Sequence, residues 1–467
     1  MKTHLQNLFL LPTLIIGLNL IVAGPLMAQN FTLLYNFTNV IDNSVGPAAG
    51  LVLSGNTLYG TTYSAGSVFA INTDGTGYRI LYNFTNYYRD GEYPLGPLTL
   101  SGNTLYGTTS QGGQYPGNGT VFAINTDGTG FTNLYSFTGT YGGWSPRPRL
   151  ILSGNALYGT MQAGGSNYTG FVFAINTDGT DFTDLYDFTS IPPKSNINSD
   201  GADPDPGLVL SGNILYGTAH DGGSSGSGTV FAINTDGTGF TNLYNFTAAI
   251  SNNTGYYTNS DGAYPVGPLI LSGNTLYGTT AGGGMNGVGT VFAINTDGTG
   301  FTNLHNFTGI LDGTPQGGLI LPGNTLYGTA MGVTSGNDAS VFAVHTDGTG
   351  FTNLFVFPIY CEANAGIILS GNTFYGTAPG YANANGRVFS LSFEPQLTIV
   401  PSQTNVILTW LTNNLGFDYT SFTLQSTPNL IPPAVWTTVS PAPVVVNGQN
   451  TVTNPISGTQ MFYRLSQ

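Results

Sequence analysis

One phrase, L-x-L-S-G-N-x-L-Y-G-T, returns along the chain with its central glycine at Gly55, Gly102, Gly154, Gly212, Gly273, Gly323 and Gly371. A second, V-F-A-I-N-T-D-G-T-G, begins at Val68, Val121, Val172, Val230, Val291 and Val341, and its degenerate copy Val388-Phe389-Ser390-Leu391 lacks the T-D-G turn. A third, F-T-N-L-Y-N-F, starts at Phe131, Phe182, Phe240, Phe301 and Phe351, with a variant at Tyr78 and a remaining copy at Phe31. Self-similarity at a period near fifty residues confines the chain to repeat architectures, in which each unit buries its apolar faces against its neighbours.

Each unit supplies four short strands: a, the L-x-L run; b, L-Y-G-T; c, V-F-A-I-N; and d, F-T-N-L-Y-N-F. The S-G-N and T-D-G-T-G turns that join a to b and c to d place glycine where positive φ is needed. Strands a and c read as continuous apolar runs packed on both faces, and strand d alternates as a half-exposed outer strand. The seventh unit has a, b and c but no d, while an unpartnered d sits at Phe31–Phe37. A ring accounts for both facts, because the N-terminal strand completes the last unit and no bare edge remains. The expected fold is all-β: a seven-bladed β-propeller of four-stranded blades over 29–393, closed by its N-terminal strand.

Composition agrees. Of 467 residues only 6% are charged, with 68 Gly and 26 Pro, and 40% are apolar. That mixture forms turns and strands and still builds a core. A net charge of −14 and the lack of a basic stripe argue against nucleic acid as a partner. Residues 1–28 read as a signal peptide: Lys2, an apolar stretch from about Leu8 to Ala23, then Leu26-Met27-Ala28 as a cleavage region. No further segment is long and apolar enough to cross a membrane. Cys361 is the only cysteine, so no internal disulfide forms.

The S-G-N-x-L-Y-G-T and V-F-A-I-N-T-D-G-T-G-F-T-N-L-Y-N-F phrases resemble the GloVer tandem repeat of exported bacterial proteins, over about residues 31–393. The resemblance implies export and surface association, with variable C-terminal anchors and no established activity. This chain departs from it by carrying no apolar anchor helix at its C-terminus. Residues 394–467 read instead as short strands of a small immunoglobulin or fibronectin III-like β-sandwich, with Trp410 and Trp436 as core anchors and a role in surface attachment or as a spacer.

Strand order a-b-c-d puts the b–c loops and d–a connections on one face of a propeller. These segments vary between repeats, whereas the a–b and c–d turns hardly change. Variation gathered on one face marks a binding surface. It carries Tyr93, Tyr115, Trp144, Tyr168, Tyr264 and Tyr360 as stacking rings, with His220 and Asp221 beside them. Rings that stack, next to carboxylates that accept hydroxyl protons, suit a glycan or a polar protein surface. The same residues also serve as blade-edge covers, and the D-G-x-x-P pieces at Asp90 and Asp261 are turn signals. The expected function is a non-enzymatic, exported binding or adhesion scaffold acting as a monomer. The alternatives are a propeller enzyme on extracellular polysaccharide, with Asp203, Asp205 or Glu362 as its acids, and a purely structural surface component.

No cofactor or metal is expected. His305 and His345 replace Tyr and Asn at repeat positions, and one aspartate per T-D-G turn is too few for calcium. The N-F-T triplets match glycosylation sequons but fall within strand d and follow from the repeat.

Overall fold

The computed structural model describes residues 28–37, 46–47, 49–63, 66–115, 117–138, 149–204, 207–252, 255–309, 312–332, 339–357, 365–378, 386–414, 416–456 and 460–466. Among them every regular element is a β-strand. The chain forms two compact units, one of Phe31–Ser370 with Phe374–Ser390 and one built mainly from Leu391–Gln467.

The repeat unit is a β-propeller. Its strands fall into seven four-stranded antiparallel sheets among the described residues, here called sheets 1–7 in chain order. Sheet 1 takes Val52–Ser54, Thr57–Thr62, Ser67–Asn72 and Arg79–Asn83 as its strands a to d. In sheet 7, Ile368–Ser370, Thr373–Ala378 and Arg387–Glu394 are joined by Ala28–Asn36 as the fourth strand. Just beyond that strand the Phe37 amide donates to the Gly386 carbonyl at 2.9 Å. Phe37 shares a core with Val388 of sheet 7 and Leu51, Leu58 and Phe69 of sheet 1. The expected closure is therefore present.

Strand c explains why the sheets need each other. Val68 and Ala70 face Leu98, Leu105 and Phe122 of sheet 2, while Phe69 and Ile71 face the Phe37 cluster. A strand with apolar side chains on both faces is stable only between two neighbours. The strand buried as deeply as c is b, not a: Thr57–Thr62 has five buried residues in six, whereas Val52–Ser54 is only half-buried. In sheet 1 strand a is a three-residue edge strand, paired within its sheet to strand b alone.

The b–c register sets the spacing inside each sheet. Gly60 lies opposite Phe69, and a Cβ on it would fall 2.6 Å from the end of that ring. The same pairing recurs in every sheet, from Gly107 and Phe122 to Gly376 and Phe389. Glycine in L-Y-G-T thus makes room for the ring in V-F-A-I-N. In the a–b turn the reason differs: Gly55 has open space around it but φ of +54°, which glycine adopts without strain.

Outer strands are tied by ring stacking. Tyr82 of sheet 1 stacks on Phe131 of sheet 2 at 3.7 Å, and the arrangement repeats through Tyr135–Phe182, Tyr186–Phe240 and Tyr244–Phe301. It continues as His305–Phe351 and Phe355–Phe31, and Tyr35–Tyr78 returns the series to sheet 1. Each such pair contributes ~0.5–1.5 kcal/mol beyond its burial.

The second unit contains a sheet of Thr398–Ser402, Asn405–Leu411, Gln449–Pro455 and Val444–Val446, and a sheet of Thr437–Thr438, Thr423–Thr427 and Phe462–Ser466. Both contribute to a core around Leu408, Trp410, Leu424 and Val452. Gln449–Pro455 is too polar to stand out in sequence, yet it is central because Asn450 and Val452 alternate inward. Trp436 is not a core anchor. It is half-buried, and the Arg464 guanidinium lies 4.3 Å over its ring.

Candidate functional site: the variable loop face

The b–c loops and d–a connections lie together and pair with each other. Glu92 bridges Gln111, Ala202 bridges Asp221, and Ala263 pairs with Gly282. The loop face is a built layer carried on rigid strands.

Its foundation is the Asp-Gly of the d–a connections. Asp261 is buried, and it accepts from the Tyr244 hydroxyl at 2.8 Å, the Thr247 amide at 2.9 Å and the Thr247 hydroxyl. Asp200 is buried in the same way by Tyr186 and Thr189. In the next copy His305 takes the tyrosine's place and meets Asp312 at 3.1 Å. Burial raises the Asp312 pKa, but the hydrogen bonds from His305 and Thr308 outweigh it and leave the carboxyl below its ordinary value. So the L-Y-N-F-T phrase supplies the donors, and the downstream aspartate is their acceptor. Asp200 and Asp261 are thus consumed by the fold, as the turn-signal reading of Asp261 expects. Reading His305 as a repeat variant agrees with this geometry.

After that glycine the chain must turn up from a packed layer. A Cβ on Gly262 would meet the Thr280 hydroxyl at 2.4 Å, so the backbone lies flat against strand b. The residue two further on then carries positive φ: Tyr93 (+57°), Asp203 (+55°) and Tyr264 (+60°). For a non-glycine this conformation costs ~1–3 kcal/mol and persists only where neighbours hold it. Those neighbours are on the preceding sheet, since the Asp203 amide donates to the Thr169 carbonyl and that of Tyr264 to the Ser227 carbonyl, both at 2.9 Å.

Two rings face each other across such junctions. His220, just past strand b of sheet 4, stacks on Tyr264 of sheet 5 with centroids 5.3 Å apart. Its Nδ1 lies 3.1 Å from Oδ1 of Asp221, and both side chains are more than a third exposed. Burial, and then the Asp221 charge, push the Tyr264 phenol pKa up. Between sheets 1 and 2 the same two slots hold Tyr63 and Tyr93, 5.7 Å apart. Tyr63 escaped the sequence reading, although it sits one residue after L-Y-G-T-T, as His220 sits after L-Y-G-T-A.

His220, Asp221 and Tyr264 are thus brought together. Tyr93 belongs to a separate junction. Tyr115 and Tyr168 are 85% and 61% exposed on b–c loops. Trp144 and Tyr360 lie outside the described residues, as do Asp205 and Glu362. Among the described residues no group of three His, Cys, Asp or Glu is placed to hold a metal. The turn aspartates are occupied locally, Asp74 accepting the Thr76 amide and hydroxyl at 2.9 and 2.7 Å, which lowers its pKa.

Sheet 3 departs from the repeat by writing F-T-D-L-Y-D-F, with Asp184 and Asp187 where most of the others have Asn. The equivalent Asn242 donates its amide to the Ser199 carbonyl at 2.9 Å. Partial burial, then the Asp187 charge, push the Asp184 carboxyl up to about 6. A carboxyl raised from an unfolded value of about 3.9 favours the fold below that pH, and the contribution is gone above about 6. Asp184→Asn should therefore be more stable than the parent at pH 8, by ~0.5 kcal/mol after solvent screening, and equal to it at pH 4. Thermal melts at both pH values check this; a pH-independent difference contradicts it.

The Gloeobacter/Verrucomicrobia repeat family model matches residues 62–260 and 252–406. No curated protein matches the chain. Among solved structures, a GH74 enzyme from Niastella koreensis is 13% identical with a TM-score of 0.47, covering 93% of this chain and 72% of its own. The extracellular domain of a B. thetaiotaomicron protein described as a one-component system is 12% identical with a TM-score of 0.47; the match covers 87% of this chain and 47% of that one. An oligogalacturonate lyase in complex with manganese is 7% identical with a TM-score of 0.48, covering 79% and 98%. These similarities carry no argument about activity.

Proposed function

The chain belongs to the Gloeobacter/Verrucomicrobia repeat family, and from that premise we propose that it is an exported, seven-bladed scaffold whose variable loop face binds glycans. The observation that carries this reading is the recurrence of paired rings, His220 on Tyr264 and Tyr63 on Tyr93, with one ring of each pair, Tyr264 and Tyr93, held in a costly backbone conformation. A scaffold that needed only edge covers would place rings at relaxed positions. The leader at 1–28 supplies export, and no helix among the described residues is long and apolar enough to cross a membrane. Sugar rings stack on exposed aromatic faces, and Asp221 and Asp203 accept hydroxyl protons beside them.

The test is a glycan array on the purified protein, with reducing-end release followed in parallel. Binding without release is the expected outcome. Tyr264→Ala should weaken the best ligand by ~1–3 kcal/mol in titration calorimetry. Unchanged affinity removes this junction from the surface, and release of reducing ends supports the polysaccharide-cleaving alternative.

A further inference from the structure

Basic residues are unevenly spread along the repeat unit. Residues 195–386, which include sheets 4 to 6, contain eleven Asp and Glu and no lysine or arginine, against a net charge of −14 for the whole chain. A surface with one sign of charge raises the local concentration of ligands of the other sign. The ring pair between sheets 4 and 5 lies inside this stretch.

That junction is also the more elaborate of the two. Among the described residues the connection into sheet 5 is the one d–a connection with a hairpin of its own, pairing Ile250 with Thr258 and Ser251 with Tyr257. The hairpin packs beside the b–c loop of sheet 5: a Cβ on Gly287 would lie 2.7 Å from Tyr256 Cβ and 3.0 Å from the Tyr257 carbonyl oxygen. Tyr257 is exposed. Burial, then the charges of Asp221 and Tyr257, push the Tyr264 phenol pKa up, so Tyr257 stands within electrostatic range of the ring pair. The Tyr264 ring rests against backbone, since a Cβ on Gly282 would lie 2.9 Å from its Cδ2.

These rings gather around one exposed carboxylate. Asp221 Oδ1 meets His220 Nδ1 at 3.1 Å, and the Asp221 side chain remains 41% open to solvent. Asp203, whose carbonyl accepts the His220 amide at 3.0 Å, puts a second acid on the same pair of segments. The other acids of sheets 4 and 5 are committed elsewhere: Asp261 to Tyr244 and Thr247, and Asp236 and Asp297 to the threonines of their c–d turns. Among the described residues no lysine or arginine pairs with Asp221. A carboxylate beside ring faces favours an ammonium twice over, through its charge and through the ring quadrupoles. An ammonium brings three N–H donors to a site with acceptors to meet them. The Tyr63–Tyr93 pair has no such bias, because its d–a connection also carries Arg89.

We propose that the junction of His220, Asp221, Tyr257 and Tyr264 takes a protonated amino sugar, its ring stacked on tyrosine and its ammonium held by Asp221. The inference rests on the glycan reading of the loop face and narrows it to amine-bearing polysaccharides. N-acetylation removes the charge and keeps the sugar ring, so the acetylated sugar isolates the part played by the ammonium.

Titration calorimetry at about pH 7 with a β-linked glucosamine tetramer, its N-acetylated counterpart and tetralysine tests it. The wild type should bind the glucosamine tetramer at least tenfold more tightly than either of the others. Asp221→Asn should abolish that preference with an unchanged melting temperature, because the side chain is exposed and the pairing of Asp221 with Ala202 runs through the backbone. Tyr257→Ala should weaken the glucosamine tetramer several-fold. Added salt should weaken the glucosamine tetramer and leave the N-acetylated one unchanged. Equal affinity for the two tetramers, a preference that survives in D221N, or tetralysine bound as tightly as the glucosamine tetramer overturns the site. A wild type that binds neutral oligosaccharides through Tyr264 without favouring the amine overturns the amino-sugar assignment and leaves the loop-face reading standing. Absence of any carbohydrate binding overturns both.

Discussion

Replacing Phe37 with alanine should destabilise the repeat unit by ~3–5 kcal/mol, although the residue lies at the end of the strand nearest the N-terminus. Phe37 is 1% exposed, and its ring meets Phe69 edge-on at 5.5 Å, inside the core that joins sheet 7 to sheet 1. A domain's whole stability is of order 5–15 kcal/mol, so one side chain at the seam removes a large share. Deleting residues 28–37 should go further. It strips sheet 7 of its fourth strand and bares the edge of Arg387–Glu394, an open template for intermolecular pairing. Denaturant titration of F37A and light scattering of the truncated chain measure the two effects. If the truncated chain remains monomeric with an unshifted midpoint, the seam does not carry the stability assigned to it.

Gly217→Val is the second large effect. A Cβ on Gly217 would lie 2.5 Å from the tip of the Phe231 ring and 2.9 Å from Leu208 Cδ2, and neither has room to retreat because Phe231 is fully buried. Overpacking of this kind typically costs ~1–3 kcal/mol, and the second branch of valine places it at or above the top of that range. Trimming the ring in the double variant Gly217→Val/Phe231→Leu should recover part of the loss. That recovery separates a steric conflict with Phe231 from a general intolerance of valine in strand b. Two losses that merely add would show that the ring is not the obstacle.

How far the sequence reaches can be seen in individual residues. The four-strand unit, its turns and the displaced strand at Phe31–Phe37 were all legible, because alternation and glycine placement are local properties. The depth of strand b was misjudged in favour of strand a, since composition reports how apolar a run is and not how many neighbours it has. Gln449–Pro455 was missed for a related reason: its polar residues are carried inward by partners on both sides, not by their own hydrophobicity.

The loop face divides along the same line. That it varies between repeats is written in the chain, and so are His220, Asp221 and Tyr264 as chemically apt residues. Their meeting required coordinates, because His220 stacks on the connection of the next repeat and not of its own. The repeat pattern alone settled which strands exist and that the series must close, because hydrogen-bond period and turn chemistry act over a few residues. The coordinates settled which carboxylates are spent on the fold and which rings pair, because those depend on contacts between repeats about fifty residues apart.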